Sequence, residues 1–342
     1  MNISLDLNTI WFALVGILFT GYAMLDGFDL GVGALHLFTK TDQERRTLLN
    51  AIGPVWDGNE VWLVTGGGAL FAAFPRAYAT VFSGFYMAFM IFLFCLIFRA
   101  VAIEFRSKQP MRWWRQAWDV SFTISSFLST FVLGVALGNI IWGIPIDGQG
   151  EFAGSFWGLF HPYTILVGIT TVSLFMMHGA IYLVLKTEGE LHDKLRGWVN
   201  NTIIFFIICY VTTTMVTLIF VPNMVHYFRE EPALFIIPFL NMLAVANIPR
   251  EIIHGRDFMA FLSSCAAMIA LMAIFGIGLF PDMVYSNPIP ENSLSIYSAA
   301  SSHKTLEIML IIAIIGVPLV ISYTVSIYWI FRGKVKLDAM SY

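Results

Sequence analysis

The chain has 342 residues, 58% of them hydrophobic and only 12% charged, where a soluble globular domain carries roughly a quarter charged residues. That balance excludes a soluble protein, and nine apolar segments of about 20 residues each would leave no room for a sizeable extramembrane domain. A net charge of −3, with basic residues largely confined to short loops, argues against a nucleic-acid partner.

In chain order, residues 1–10 carry Asp6 and no basic stretch, so the first apolar run, 7–25, reads as a retained span rather than a signal peptide. It continues into Asp26-Gly27-Phe28-Asp29-Leu30-Gly31. The second run, 61–75, is short for a bilayer of about 30 Å and must extend backward through Glu60 and Asp57. Charge-free runs at 77–98, 120–146, 152–185, 197–228, 232–249, 258–281 and 308–331 complete nine candidate helices. The segments 143–155 and 281–302, rich in Gly, Pro, Asn and Ser, read as ordinary solvated turns. Trp113, Trp114 and Trp118, interleaved with Arg112 and Arg115, mark an interfacial belt.

Basic residues set the direction, because Lys and Arg of short loops stay on the cytoplasmic side. With nine spans and the N-terminus outside, only Arg76, Arg229 and Lys304 of the 19 basic residues fall outside. Removing the 232–249 span spoils the split. The expected fold class is therefore an all-α polytopic membrane protein, a single domain over 1–342, with nine transmembrane helices, its N-terminus outside and its C-terminus cytoplasmic.

Charges within membrane segments are expensive and face a bundle interior, a cavity or a partner. Asp26 and Asp29 share one helix face by their i, i+3 spacing, as do Asp57 and Glu60. Counted from a helix start near Leu48, the second pair lies roughly 13–18 Å in, which brings all four carboxyls to the cytoplasmic half, with Arg99 as candidate counter-charge. Such a cluster suits groups that pick up and pass protons. The structural alternative, carboxyls that cap helix ends or reach interfacial water, fits Asp29 best.

The remaining features weigh less. Cys95, Cys209 and Cys265 lie in separate apolar stretches and read as small core residues, with no metal spacing. His178, a lone membrane histidine, reads as packed and hydrogen-bonded rather than as a haem ligand; His36, His161, His192, His226, His254 and His303 lie near span ends, where solvent accounts for them. Gly134–Gly138 matches GxxxG, a signal of close helix packing. Gly66-Gly67-Gly68 lacks the strand and lysine of a phosphate loop.

The stretch Leu25-Asp26-Gly27-Phe28-Asp29-Leu30-Gly31-Val32-Gly33, then Gly53-Pro54-Val55-Trp56-Asp57-Gly58-Asn59-Glu60-Val61-Trp62-Leu63 leading to Gly67-Gly68-Ala69-Leu70-Phe71-Ala72-Ala73-Phe74-Pro75, resembles subunit II of the cytochrome bd-type quinol oxidases. Phe82-Ser83-Gly84-Phe85-Tyr86, Phe98-Arg99 and Phe105-Arg106-Ser107-Lys108 continue the likeness. The resemblance implies two four-helix bundles plus one peripheral helix, paired with a haem-bearing subunit I that holds haems of b and d type and oxidises quinol. It implies no catalytic, cofactor-binding or metal-ligating residue here, but a share in a cytoplasmic proton path through Asp57, assisted by Glu60, with Asp26 and Asp29 in the characteristic first-helix motif. A structural quinone or lipid and small accessory subunits are further expected partners, and a bacterial or archaeal cytoplasmic membrane the expected location. The competing reading, a proton-coupled secondary transporter, normally has discontinuous midplane helices in both halves, whereas the charges here sit in the first half alone.

Overall fold

A computed structural model describes residues 6–337; residues 1–5 and 338–342, and with them part of the reading of both termini, lie outside the described residues. The chain is all-α and polytopic. Its helices are α1 (Leu7–Leu35), α2 (Asp42–Ile52), α3 (Trp56–Ala73), α4 (Pro75–Gly84), α5 (Tyr86–Phe105), α6 (Arg112–Trp142), α7 (Pro162–Lys186), α8 (Gly189–Phe220), α9 (His226–Glu230), α10 (Ile236–Ile253), α11 (Asp257–Leu279) and α12 (His303–Ile330). Eight helical segments among the described residues are long and apolar enough to cross a membrane. Helix α3 is the long helix outside that set, because two carboxyls and three successive glycines dilute its apolar character.

Helix boundaries follow local chemistry. Asp6 caps α1 by accepting from the Thr9 N–H at 2.9 Å, satisfying a donor that the first turn leaves orphaned. Thr41 and Glu44 form a reciprocal capping box on α2, a short helix that buries Leu48, Leu49, Ala51 and Ile52 and leaves its first turn to solvent. Gly53 and Pro54 interrupt the chain before α3 begins at Trp56, since proline donates no N–H to carry the helix on. Asp57 therefore lies in the first turn of α3, rather than deep in a helix running from Leu48. The expected span at 77–98 is likewise divided: α4 ends at Gly84, and α5 restarts beyond Phe85.

Helix α1 packs against α3, α6, α7 and α11, and carries α12 on its outer side; α5 packs on α6, α8 on α7, and α10 on α11. The α1–α7 crossing is close. A Cβ on Gly31 would stand 1.8 Å from the Phe175 carbonyl oxygen, and one on Gly179 2.6 Å from the Gly31 carbonyl carbon. The GxxxG pair does the same between α6 and α7, where Gly134 faces the Gly168 Cα and Gly138 the Thr164 Cα.

The segments expected to be solvated turns are instead an ordered cap. Strands β1 (Asp282–Val284) and β2 (Leu294–Ser295) pair antiparallel, Ile144 bridges Ser286, and Ile146 bridges Phe152. Ile144, Ile146, Val284, Leu294 and Ile296 are buried together with Trp11 and Phe74, and the Ser301 N–H donates to the Ala73 carbonyl at 2.8 Å. Buried isoleucines interspersed among turn residues supply the apolar contacts that hold these loops down.

Candidate functional site

Three elements bring the charged residues together. Asp26 and Asp29 come from the C-terminal half of α1, Asn59 and Glu60 from the first turns of α3, and Arg99 from α5. The Arg99 guanidinium donates to Asp26 Oδ1 at 2.8 Å and to Glu60 Oε1 at 2.7 Å, so one planar cation bridges two helices to a third. Asp26, Asp29 and Arg99 are fully buried. Arg99 therefore belongs to the body of α5 and not to the inner loop.

Asp29 stands apart from that ion pair. Its Oδ2 accepts from Asn59 Nδ2 at 2.7 Å, and the same amide nitrogen donates to the Leu25 carbonyl at 3.2 Å. The Tyr328 hydroxyl of α12 donates to Asn59 Oδ1 at 2.9 Å, which fixes the amide so that its nitrogen faces Asp29. Asp29 Oδ1 is buried without a hydrogen-bond partner.

Asp57 does not join the ion pair. It is exposed, on the outward side of α3, in line with exposed Val61, Val64 and Phe71. Glu60 lies between the two environments, ion-paired to Arg99 yet with a side chain 22% exposed. The four carboxyls thus form a graded series from the outer face of α3 inward, with Asp57 exposed, Glu60 half-buried, and Asp26 and Asp29 buried.

Sequence reasoning missed several polar partners. Asn59 lies inside the quoted motif but is uncharged, and Tyr328 sits in an otherwise apolar helix far along the chain. A second network was also missed. His36, assigned to solvent, is buried with Nε2 2.6 Å from Asp119 Oδ1, while Arg45 and Arg106 donate to the same carboxylate at 2.8 and 2.5 Å. Arg106 also reaches Asp42 at 2.7 Å. The available signal was a lone Asp at the end of the tryptophan belt, next to a loop of arginines.

The buried histidine of α7 is saturated. His178 Nδ1 lies 2.8 Å from Ser264 Oγ, and Nε2 lies 2.9 Å from the Met24 carbonyl oxygen. Its ring stacks on Phe261. With both nitrogens committed to protein partners, this donor set does not fit an axial haem ligand.

Comparison with known proteins decides the family. The profile of cytochrome bd terminal oxidase subunit II matches residues 7–331. The chain belongs to this family. It is 34% identical to cytochrome bd-I ubiquinol oxidase subunit 2 of Escherichia coli K12, covering 97% of this chain and 96% of that one. It is also 34% identical to cytochrome bd ubiquinol oxidase subunit 2 of Bacillus subtilis, over 97% of both chains. Among solved structures, the bd oxidase of Geobacillus thermodenitrificans superposes with a TM-score of 0.75 at 18% identity, covering 95% of this chain and 98% of that chain, a likeness of fold. A subunit II of the bd oxidases is one part of a membrane oxidoreductase, so this chain is integral to the cytoplasmic membrane and works with a partner oxidase subunit.

Proposed function

We propose that the chain is the haem-free subunit of a quinol:oxygen oxidoreductase, that its partner is the haem-bearing subunit I with haems of b and d type, and that the Asp57 side of α3 forms one wall of a proton-uptake path from the cytoplasm. One observation carries the path: Asp57 projects, exposed, from an otherwise apolar outward face of α3. A carboxyl facing hydrocarbon is costly, so this face is one that a partner covers, and covering it makes Asp57 an interfacial carboxyl. Behind it, Glu60 connects the interface to Arg99, Asp26 and Asp29.

The chemistry follows from charge accounting. Quinol oxidation releases protons along with electrons, and reduction of dioxygen to water consumes protons. If release is external and uptake is from the cytoplasm, charge crosses the membrane and a proton-motive force builds without a pump. This chain's residues supply the uptake side: Asp57 and Glu60 take up and hand on a proton, and Arg99 limits how much negative charge the buried pair accumulates.

The topology proposed with this role is nine spans, α3 being the ninth, with the N-terminus outside and the C-terminus cytoplasmic. Contacts between ends support it. The start of α1, the end of α3 and the start of α12 meet, through Trp11 Nε1 donating to the Leu306 carbonyl at 2.9 Å and Ser301 to Ala73. Helix α3 therefore runs antiparallel to α1. The bundles proposed with this topology are α1, α3, α5 and α6, and α7, α8, α10 and α11, with α12 peripheral; α1 and α6 both pack closely on α7 across the two.

Gentle purification from the native membrane tests the assembly. A reduced-minus-oxidised spectrum with haem bands, including a chlorin-type band in the far red, together with a co-purifying chain of similar or larger mass, is the expected result. A colourless protein without a partner would favour the proton-coupled transporter.

A further inference from the structure

The groove between α10 and α11 shares no lining residue with the carboxylate cluster and has a different chemistry. It is an open groove of about 830 Å³ lined by Leu243, Asn247, Arg250 and Glu251 of α10 and by Met259, Leu262 and Ser263 of α11, with Arg256 at the turn between them. The charged end is at the turn joining the two helices, where Gly255 takes a positive φ of 71° that lets the chain reverse within a few residues. At about 1.5 Å per residue, Leu243 on α10 lies roughly 10 Å beyond Arg250. The groove therefore has its charged residues at the level of the helix ends and, beyond them, apolar Leu243, Leu262 and Ala266 around the Asn247–Ser263 pair, a length that takes a lipid headgroup and the first part of an acyl chain.

The charges at the helix ends are poorly answered within the protein. Arg250 donates only to the neutral Asn247 Oδ1, at 3.3 Å, and the nearest carboxylate oxygen to Arg256 is Glu251 Oε2, at 3.8 Å. Asn247 is meanwhile held by Ser263, its Nδ2 donating at 2.9 Å. Glu251 is 5% exposed, and its Oε2 has no hydrogen-bond donor. Two guanidinium groups facing outward call for an anionic oxygen cluster such as a phosphate diester. The buried Glu251 Oε2, with the Arg256 guanidinium no nearer than 3.8 Å and no hydrogen-bond donor, calls for a donor, best a cationic one.

We propose that this groove binds phosphatidylethanolamine, with its phosphate between Arg250 and Arg256, its primary ammonium donating to Glu251 Oε2, and one acyl chain against Leu243, Met259 and Leu262. A phosphate diester alone leaves Glu251 unanswered, and a quaternary ammonium has no N–H to donate. The ammonium headgroup satisfies both sets at once. Because the groove includes no residue of α3, the site stands whether or not Asp57 carries protons.

The test is native mass spectrometry of the whole detergent-solubilised oxidase complex after exchange against phosphatidylethanolamine, phosphatidylcholine or phosphatidylglycerol of matched acyl chains. Retention of the ethanolamine lipid about tenfold above the choline lipid is expected, the size of one charge-assisted hydrogen bond. Glu251→Gln should collapse that preference while leaving binding of both lipids, and the double variant Arg250→Gln, Arg256→Gln should remove both. Equal retention of the ethanolamine and choline lipids by the unmodified complex, preference for phosphatidylglycerol, or binding unchanged in the arginine variant would each overturn the proposal. Co-purification of the partner chain at wild-type stoichiometry shows that a variant has folded.

Discussion

Arg99 answers two carboxylates with one guanidinium, and its removal leaves Asp26 buried with an uncompensated charge. Deleting one partner of a buried ion pair costs about 3–5 kcal/mol, so Arg99→Leu is expected to lower the melting temperature of the complex strongly and to reduce its yield. A melting temperature within a degree or two of the parent would show that the pair contributes little. The charged members of this cluster, Asp26, Asp29, Glu60 and Arg99, were legible in the sequence, because ionised side chains are rare within apolar runs and point to themselves. Asn59 and Tyr328 were not, because an amide or hydroxyl in a membrane helix carries no comparable signal until its neighbour is known. His36 and Asp119 were hidden for a related reason: their pairing joins the end of α1 to the start of α6, and nothing local to either position shows it.

At the scale of elements, glycines decide where helices meet. A methyl group on Gly31 would overlap the backbone of α7 at Phe175, and backbone cannot move aside as a flexible side chain does. Gly31→Ala is therefore expected to separate α1 from α7 and destabilise by about 1–3 kcal/mol or more, whereas Gly67→Ala, with open space around it, should be neutral; the two melting temperatures check this. Equal effects would contradict the packing at the crossing. Outside the membrane, α2 is fixed by Glu44. Partial burial pushes its carboxyl up, but bonds from Lys194 and from the Lys40 and Thr41 N–H groups outweigh this and hold it below the usual 4.5. A depressed folded value means that Glu44 stabilises the fold above its unfolded pKa and loses that contribution as pH falls through the folded one. Thermal stability measured from pH 7 down to about 3 should fall more for the parent than for Glu44→Gln; parallel curves would remove Glu44 from the account. Most helices were readable from apolar runs, but the break between α2 and α3 was not. Apolar counting locates the bilayer, while Gly53 and Pro54 end a helix locally, and the cap over 143–155 and 281–302 is held by long-range contacts that turn chemistry does not encode.

For the whole molecule, the exposed apolar face of α3 and the mostly exposed α12 suit a chain that works in a membrane with a partner oxidase subunit. Family membership follows from the chain-long match, and the proton path is the claim added to it. The most direct measurement is quinol-dependent oxygen consumption by the purified complex carrying Asp57→Asn, recorded beside its haem spectrum. Asp57 makes no ion pair among the described residues, so the amide is expected to leave assembly and haem content intact while turnover falls at least about tenfold, the scale of a lost proton-transfer group. Unchanged turnover with intact haems would contradict the assignment of Asp57 to proton uptake.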